Sequence, residues 1–211
     1  MGGTTMFIQV IQGPVAEPEQ AHAALDRWAR DLAPGSTGWL GTTAGVTDDG
    51  TLVAVARFTS KDEARRNAER PEQDAWWRET SRLFTGKVSF HDCGEVDEFH
   101  GGGSDQAGFV QVIEGHVEDP GRLRELFHKG EEELAAYRPD LIGSTAAMSE
   151  DGTYVETAYF TSEEEARRGE RKAPPPELEG TLKEYMGVFE GRPAYFDLHR
   201  PWMYSPGGQR V

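Results

Sequence analysis

Apolar and polar positions fall into the same series of short runs twice along this chain. Phe7-Ile8-Gln9-Val10-Ile11-Gln12-Gly13 is β-rich and stopped by glycine, and it returns 102 positions later as Phe109-Val110-Gln111-Val112-Ile113-Glu114-Gly115. Both runs predict strands. Their apolar residues occupy both parities, so both faces of each strand are expected to be covered. A helical spacing follows each strand. Ala21, Leu25, Trp28 and Leu32 recur at i, i+4, i+7 and i+11, and Leu123, Phe127, Gly130 and Leu134 repeat that spacing. Pro18 and Pro120 suit a first helical turn, and Asp119 can cap the second copy. A hairpin comes next: Trp39 to Ala44 and Leu141 to Ala146 ascend, Asp49-Gly50 and Asp151-Gly152 turn, and Thr51 to Phe58 and Thr153 to Phe160 return.

The return strands run into a junction that the chain also contains twice, Phe58-Thr59-Ser60-Lys61-Asp62-Glu63-Ala64-Arg65-Arg66 and Phe160-Thr161-Ser162-Glu163-Glu164-Glu165-Ala166-Arg167-Arg168. A hydroxyl residue (Thr59 or Ser60, Thr161 or Ser162) can cap the helix, acids follow at its positive end, and arginines come a turn later. In the first half this helix is expected to carry Ala64, Ala68, Trp76 and Leu83; in the second the run Pro174-Pro175-Pro176 is expected to break or delay it, with the helix resuming near Leu178. A fourth strand closes each half, at Val88 to Asp92 and at Ala194 to Asp197.

Each half therefore reads β-α-β-β-α-β, the ferredoxin-like plan, and the fold class is α+β. The expected division is a first repeat over 6–97, a Gly-rich linker over 98–107 (His100-Gly101-Gly102-Gly103-Ser104-Asp105), a second repeat over 108–198 and an irregular tail over 199–211. A single four-stranded sheet with helices on one face leaves the other face bare, and each half can supply the other's cover.

Composition mainly excludes. The chain has 22 Lys+Arg against 37 Asp+Glu, a net charge of −15, so neither a nucleic-acid surface nor an anionic-membrane surface is expected. The lone Cys93 excludes an intramolecular disulfide and a cysteine-rich metal site. No apolar run reaches membrane-spanning length, and no secretory segment follows Met1-Gly2-Gly3. N-terminal myristoylation has only that weak motif and no basic flank. The expected localisation is cytoplasmic, as a soluble monomer with an internal pseudo-dimer and further dimerisation open. His22, His91, His100, His116, His128 and His199 show no metal-ligand spacing, and no dinucleotide-binding glycine motif or nucleophile elbow occurs. No cofactor and no metal are expected.

The glycine-stopped first strand, the Asp-Gly hairpin and the Phe-Thr-Ser-x-x-Glu-Ala-Arg-Arg junction together resemble the dimeric α+β barrel superfamily, which includes antibiotic-biosynthesis-monooxygenase-like domains. The likeness spans nearly all of residues 6–198. In that superfamily two subunits usually pair sheet to sheet, so the resemblance implies a tandem fusion forming an intramolecular pseudo-dimeric α+β barrel, with small molecules bound between sheet and helices or inside the barrel. The haem-degrading branch uses an Asn on strand one, a Trp and a His on the second helix. Here strand one offers Gln9 or Gln111 and neither second helix contains His, which speaks against haem degradation. Cofactor-independent monooxygenases of the superfamily rely on a few Asn, Tyr and Trp contacts.

Candidate site residues are polar groups within buried strands, which need a partner or a ligand. Gln9 and Gln111 either line a cavity or satisfy each other or the backbone across the pseudo-twofold. Arg57 in the first half matches Tyr159 in the second, and Ala54 matches Glu156, so a single site is expected where the halves diverge. Arg57 would hold an anionic substrate or pair with Glu156. His91 would transfer a proton or be a hydrogen-bonded strand histidine. Tyr159 and Tyr195 would donate phenolic protons to a quinone-like substrate or pack as core aromatics. Trp39, like Trp28, Trp76 and Trp77, could stack on a flat ligand, and Trp76 and Trp77 cannot both face the core. Three readings stand: a cofactor-independent oxygenase acting on a small aromatic or polyketide-like molecule, in a cavity of a few hundred Å³ with Arg57, His91 and Tyr159 as catalytic contacts; a non-catalytic ligand-binding or protein-interaction module working through the Trp76/Trp77 region; and a barrel filled by side chains.

Overall fold

The computed structural model describes residues 6–207. The Met1-Gly2-Gly3 reading and the last four residues of the tail lie outside the described residues. The chain divides into two compact units, one of the residues up to Val96 with those from Arg200 onward, the other Asp97–His199.

The first unit contains β1 (Phe7–Pro14), α1 (Pro18–Asp31), β2 (Trp39–Val46), β3 (Thr51–Phe58), α2 (Lys61–Ala68), α3 (Pro71–Thr80) and most of β4 (Ser89–Phe99), whose last residues, from Asp97, belong to the second. The second contains β5 (Phe109–His116), α4 (Pro120–His128), α5 (Glu131–Tyr137), β6 (Leu141–Ser149), β7 (Thr153–Phe160), α6 (Glu163–Glu170), α7 (Pro176–Gly187) and β8 (Ala194–Leu198), and the short β9 (Trp202–Tyr204) returns to the first. Strands run in the order β4-β1-β3-β2-β9 in the first unit and β8-β5-β7-β6 in the second. This is the α+β, ferredoxin-like plan, twice.

The repeat extends to register. Phe7 of β1 faces Phe58 of β3, and Phe109 of β5 faces Phe160 of β7. Both second strands shift register in the same place, between Trp39 and Gly41 and between Leu141 and Gly143. Both hairpins turn on a glycine at positive φ, 83° at Gly50 and 86° at Gly152, which a side chain would strain. Ser60 and Ser162 cap α2 and α6 by accepting from the N–H of Glu63 at 3.2 Å and of Glu165 at 3.3 Å, and Asp119 accepts from the N–H of Arg122 at 2.9 Å.

Three expectations change. The second helix of the first half and the first helix of the second half are each broken in two, whereas α1 is continuous: Pro71 starts a new helix after α2, because its ring removes an N–H and crowds the preceding turn. Gly130 ends the continuity of the apolar stripe between α4 and α5, as the poorest helix former after proline. β4 runs on to a buried Phe99, into residues expected to begin the linker. The tail is not wholly irregular, since Trp202–Tyr204 pairs with β2 and buries Tyr204; its alternating aromatic residues give it one face to bury. No helix among the described residues is long and apolar enough to cross a membrane.

Candidate functional site

The helix-facing side of the strands is filled differently in the two repeats. In the first unit Trp28, Trp39 and Trp76 pack with Phe7 and Phe58 into a buried cluster. Trp28 meets Trp39 edge-on at 5.1 Å and Trp76 at 6.4 Å between ring centroids. Trp28 Nε1 donates to Gln73 Oε1 at 2.6 Å, and Trp76 Nε1 donates to the Ala24 carbonyl at 2.9 Å. Three indoles occupy the volume between helices and sheet.

In the second unit those indoles are missing. At the 102-residue offset Gly130 stands for Trp28 and Leu141 for Trp39. Counted from the first prolines of α3 and α7, Pro71 and Pro176, Thr181 stands for Trp76. The result is a cavity of about 100 Å³ within the second unit, and Gly130, Leu141 and Thr181 all line it. Phe99, Leu126 and Leu178 form its buried apolar floor, while Phe127, Leu134 and Leu182 at its mouth are half-buried.

Into this apolar space projects one carboxylate, that of Glu156 on β7, only 9% exposed. Glu156 Oε2 accepts from the Tyr154 and Tyr185 hydroxyls, each at 2.8 Å. These two hydroxyls are themselves 2.7 Å apart. Burying a carboxylate is costly unless it is hydrogen-bonded, and two phenolic donors meet that cost. The same burial, reinforced by the Glu156 charge, pushes both phenols well above the ordinary tyrosine pKa, so they remain protonated donors. Both donors bond Oε2, and among the described residues none bonds Oε1, so one oxygen of this pocket-lining carboxylate is left to accept a proton. The first repeat cannot reproduce the group: Ala54, Leu52 and Thr80 stand where Glu156, Tyr154 and Tyr185 stand in the second.

Of the candidate residues, Glu156 lines the cavity. Tyr195 lies on the same side of the sheet, opposite Ile113 on β8, and is 52% exposed; partial burial and then the Glu156 charge raise its pKa. The other candidates lie elsewhere. Gln9 Nε2 donates to Asp92 Oδ1 at 2.9 Å and Gln111 Nε2 to Asp197 Oδ1 at 2.8 Å, so each glutamine is bonded to the fourth-strand aspartate of its own repeat rather than aimed into the cavity. Trp39 is buried in the first unit, donating to Thr42 Oγ1 at 3.0 Å. Arg57 sits on β3 beside Ile8 and Gly41, and His91 on β4 beside Val10, both on the sheet face that carries Ile8 and Val10. Tyr159 takes the place equivalent to Arg57, fully buried beside Val110 and Gly143.

Arg57 and Glu156 occupy positions of opposite parity in their respective repeats. Arg57 corresponds to position 159, and 159 and 156 differ by an odd number, so the two side chains belong to opposite sheet faces. Trp76 is core and Trp77 is half-buried against Phe84 and Phe90, so the two indoles form no shared exposed surface. Tyr154 and Tyr185 were not singled out from the sequence. The signal was present in the same repeat comparison that exposed Glu156, since Tyr154 replaces Leu52 two positions away.

No protein-family model and no curated protein sequence matches the chain. Solved structures match over the whole length. A candidate monooxygenase from Lactobacillus acidophilus NCFM superposes with a TM-score of 0.71 at 14% identity, covering 95% of this chain and 96% of that one. A second candidate monooxygenase, from Fusobacterium nucleatum subsp. nucleatum, gives 0.73 at 10% identity, covering 99% and 98%. An anthrone oxidase-like protein gives 0.70 at 12% identity, covering 97% and 94%. Identities this low establish shared architecture alone. The chain has the α+β fold of these monooxygenase-like proteins, built as a tandem of two ferredoxin-like repeats.

Proposed function

We propose that the second repeat binds a small, largely apolar aromatic molecule beside Glu156 and removes a proton from it, the opening step of a cofactor-independent oxygenation. The observation that carries this reading is a single carboxylate in an apolar cavity, held by two phenols that keep their own protons. The apolar walls favour a flat hydrocarbon ring, and a cavity of about 100 Å³ takes one ring, leaving the rest of a larger molecule in the half-buried mouth. Tyr154 and Tyr185 fix the carboxylate's orientation through Oε2, and Oε1 is the base. An anthrone is a substrate of the right kind: its benzylic C–H is acidified by the ring carbonyl, and the carbanion left by deprotonation passes electrons to O₂ without help from a cofactor. The peroxide formed loses water, so anthrone and O₂ give anthraquinone and H₂O. The architecture shared with an anthrone oxidase-like protein supports the choice of test substrate.

The test is oxygen uptake with anthrone, wild type against Glu156→Gln. The amide keeps the size of the side chain and an oxygen for the two phenols but is no base. Wild type is expected to accelerate uptake above the spontaneous rate, and the variant to lose about 10²–10⁴-fold of that acceleration, the range typical of a general base. Equal rates in the two proteins would remove Glu156 from the reaction.

A further inference from the structure

We infer that Arg57 binds a small organic carboxylate on the sheet of the first repeat, at a site independent of the Glu156 cavity and of the function proposed for it. Arg57 lies mid-sheet on β3, between Ile8 of β1 and Gly41 of β2, and is half-buried. Its Nε is fully buried and has no acceptor, and among the described residues no carboxylate pairs with its guanidinium. Shortage of carboxylates is not the reason, because the chain carries 37 acidic residues against 22 basic ones. Arginines elsewhere find them: Arg66 pairs with Glu63, Arg70 with Glu72, Arg138 with Asp140 and Arg167 with Asp197. A half-buried cation without a counter-charge is an unfavourable arrangement to keep, and here it is kept.

The donors of Arg57 fit a planar monoanion. A guanidinium offers parallel N–H donors that match a carboxylate, and its single charge balances one carboxylate rather than a phosphate dianion. Ile8 and Val55, buried and apolar, flank Arg57 on the same sheet face and supply no competing acceptor from their side chains. Gly41 is the residue at the register shift of β2, with φ at 144°. A Cβ there would stand 2.8 Å from Arg57 Nη2 and 2.8 Å from the Tyr204 carbonyl oxygen, so only glycine leaves that edge of the guanidinium clear. The second repeat keeps the glycine, as Gly143, but has Tyr159 in place of the arginine, so the site is single.

The probe is benzoate, with inorganic phosphate as the comparison anion, followed by the arginine Nε–H resonances of ¹⁵N-labelled protein and by the thermal midpoint. Wild type is expected to show one saturable Nε–H shift with benzoate and a rise in midpoint from ligand binding. Arg57→Gln is expected to lose both, with at least a tenfold drop in affinity, and to melt no lower than wild type without benzoate, since it removes an unbalanced charge. Thr181→Trp, which fills the other cavity, is expected to bind benzoate as wild type does. The inference is overturned if benzoate produces no saturable shift, if phosphate binds as tightly as benzoate, if Thr181→Trp rather than Arg57→Gln abolishes binding, or if Arg57→Gln is destabilised, which would give the guanidinium a structural role.

Discussion

The hydroxyl of Tyr154 lies 2.7 Å from that of Tyr185, and both phenols donate to the same oxygen of Glu156. Burial first, then the carboxylate, raises both pKa values well above 10.0. A folded-state pKa above the unfolded one means that the folded protein holds its proton more tightly. The stability this contributes is fully present below pH 10 and is lost as pH rises above that value, because the unfolded chain ionises its tyrosines while the folded one does not. Both contribute to that loss over the window. A spectrophotometric titration should therefore show the Tyr154 and Tyr185 signals appearing only with alkaline unfolding, and Tyr154→Phe should lessen the steepness of the stability loss.

Thr181 marks the difference between a cavity and a core. Thr181→Trp places in the second repeat the indole that Trp76 supplies in the first, and is expected to abolish anthrone binding. The thermal midpoint should stay within a few degrees of wild type, because the side chain enters existing space. Calorimetric titration with anthrone under argon checks the first outcome and a melting curve the second.

Trp76 makes the reciprocal case. Trp76→Ala removes the edge-on contact with Trp28 and the hydrogen bond to the Ala24 carbonyl. Truncating a buried tryptophan costs about 3–5 kcal/mol, and chemical unfolding should record a loss of that size without the oxygen uptake attributed to the second repeat being lost.

Ser60 and Ser162 cap equivalent helices through equivalent bonds to Glu63 and Glu165. Alanine at either position is expected to cost about 1 kcal/mol. Similar losses for the two variants in urea unfolding would show that the repeated junction does the same work in both halves.

How much of this was legible in the sequence follows from what repeats. Strands, hairpin turns and the Ser60 and Ser162 caps are local devices written twice, and the second copy confirms the first. The helix breaks at Pro71 and Gly130 were harder, since an apolar stripe continues through both and hides the loss of backbone bonding. Glu156 was visible because a charged residue replaces an alanine at an equivalent position of the repeated strand. The cavity was not, because it is defined by what is missing: Gly130 reads as one position of an apolar stripe until it is set against Trp28, and Thr181 until it is set against Trp76. Gln9 and Gln111 misled in the opposite sense. Their partners, Asp92 and Asp197, lie about eighty residues away in sequence, beyond the reach of any periodicity, yet adjacent across a pair of strands.

The central claim is that the second repeat alone holds the aromatic substrate. The most direct test is to find where anthrone sits, under argon, by nuclear Overhauser contacts to ¹³C-labelled leucine methyls. The account predicts contacts to Leu134, Leu141, Leu178 and Leu182, which line the cavity beside Glu156, and none to Leu25, Leu32 or Leu52 of the first repeat. Contacts to the first-repeat leucines, or to neither set, would contradict it.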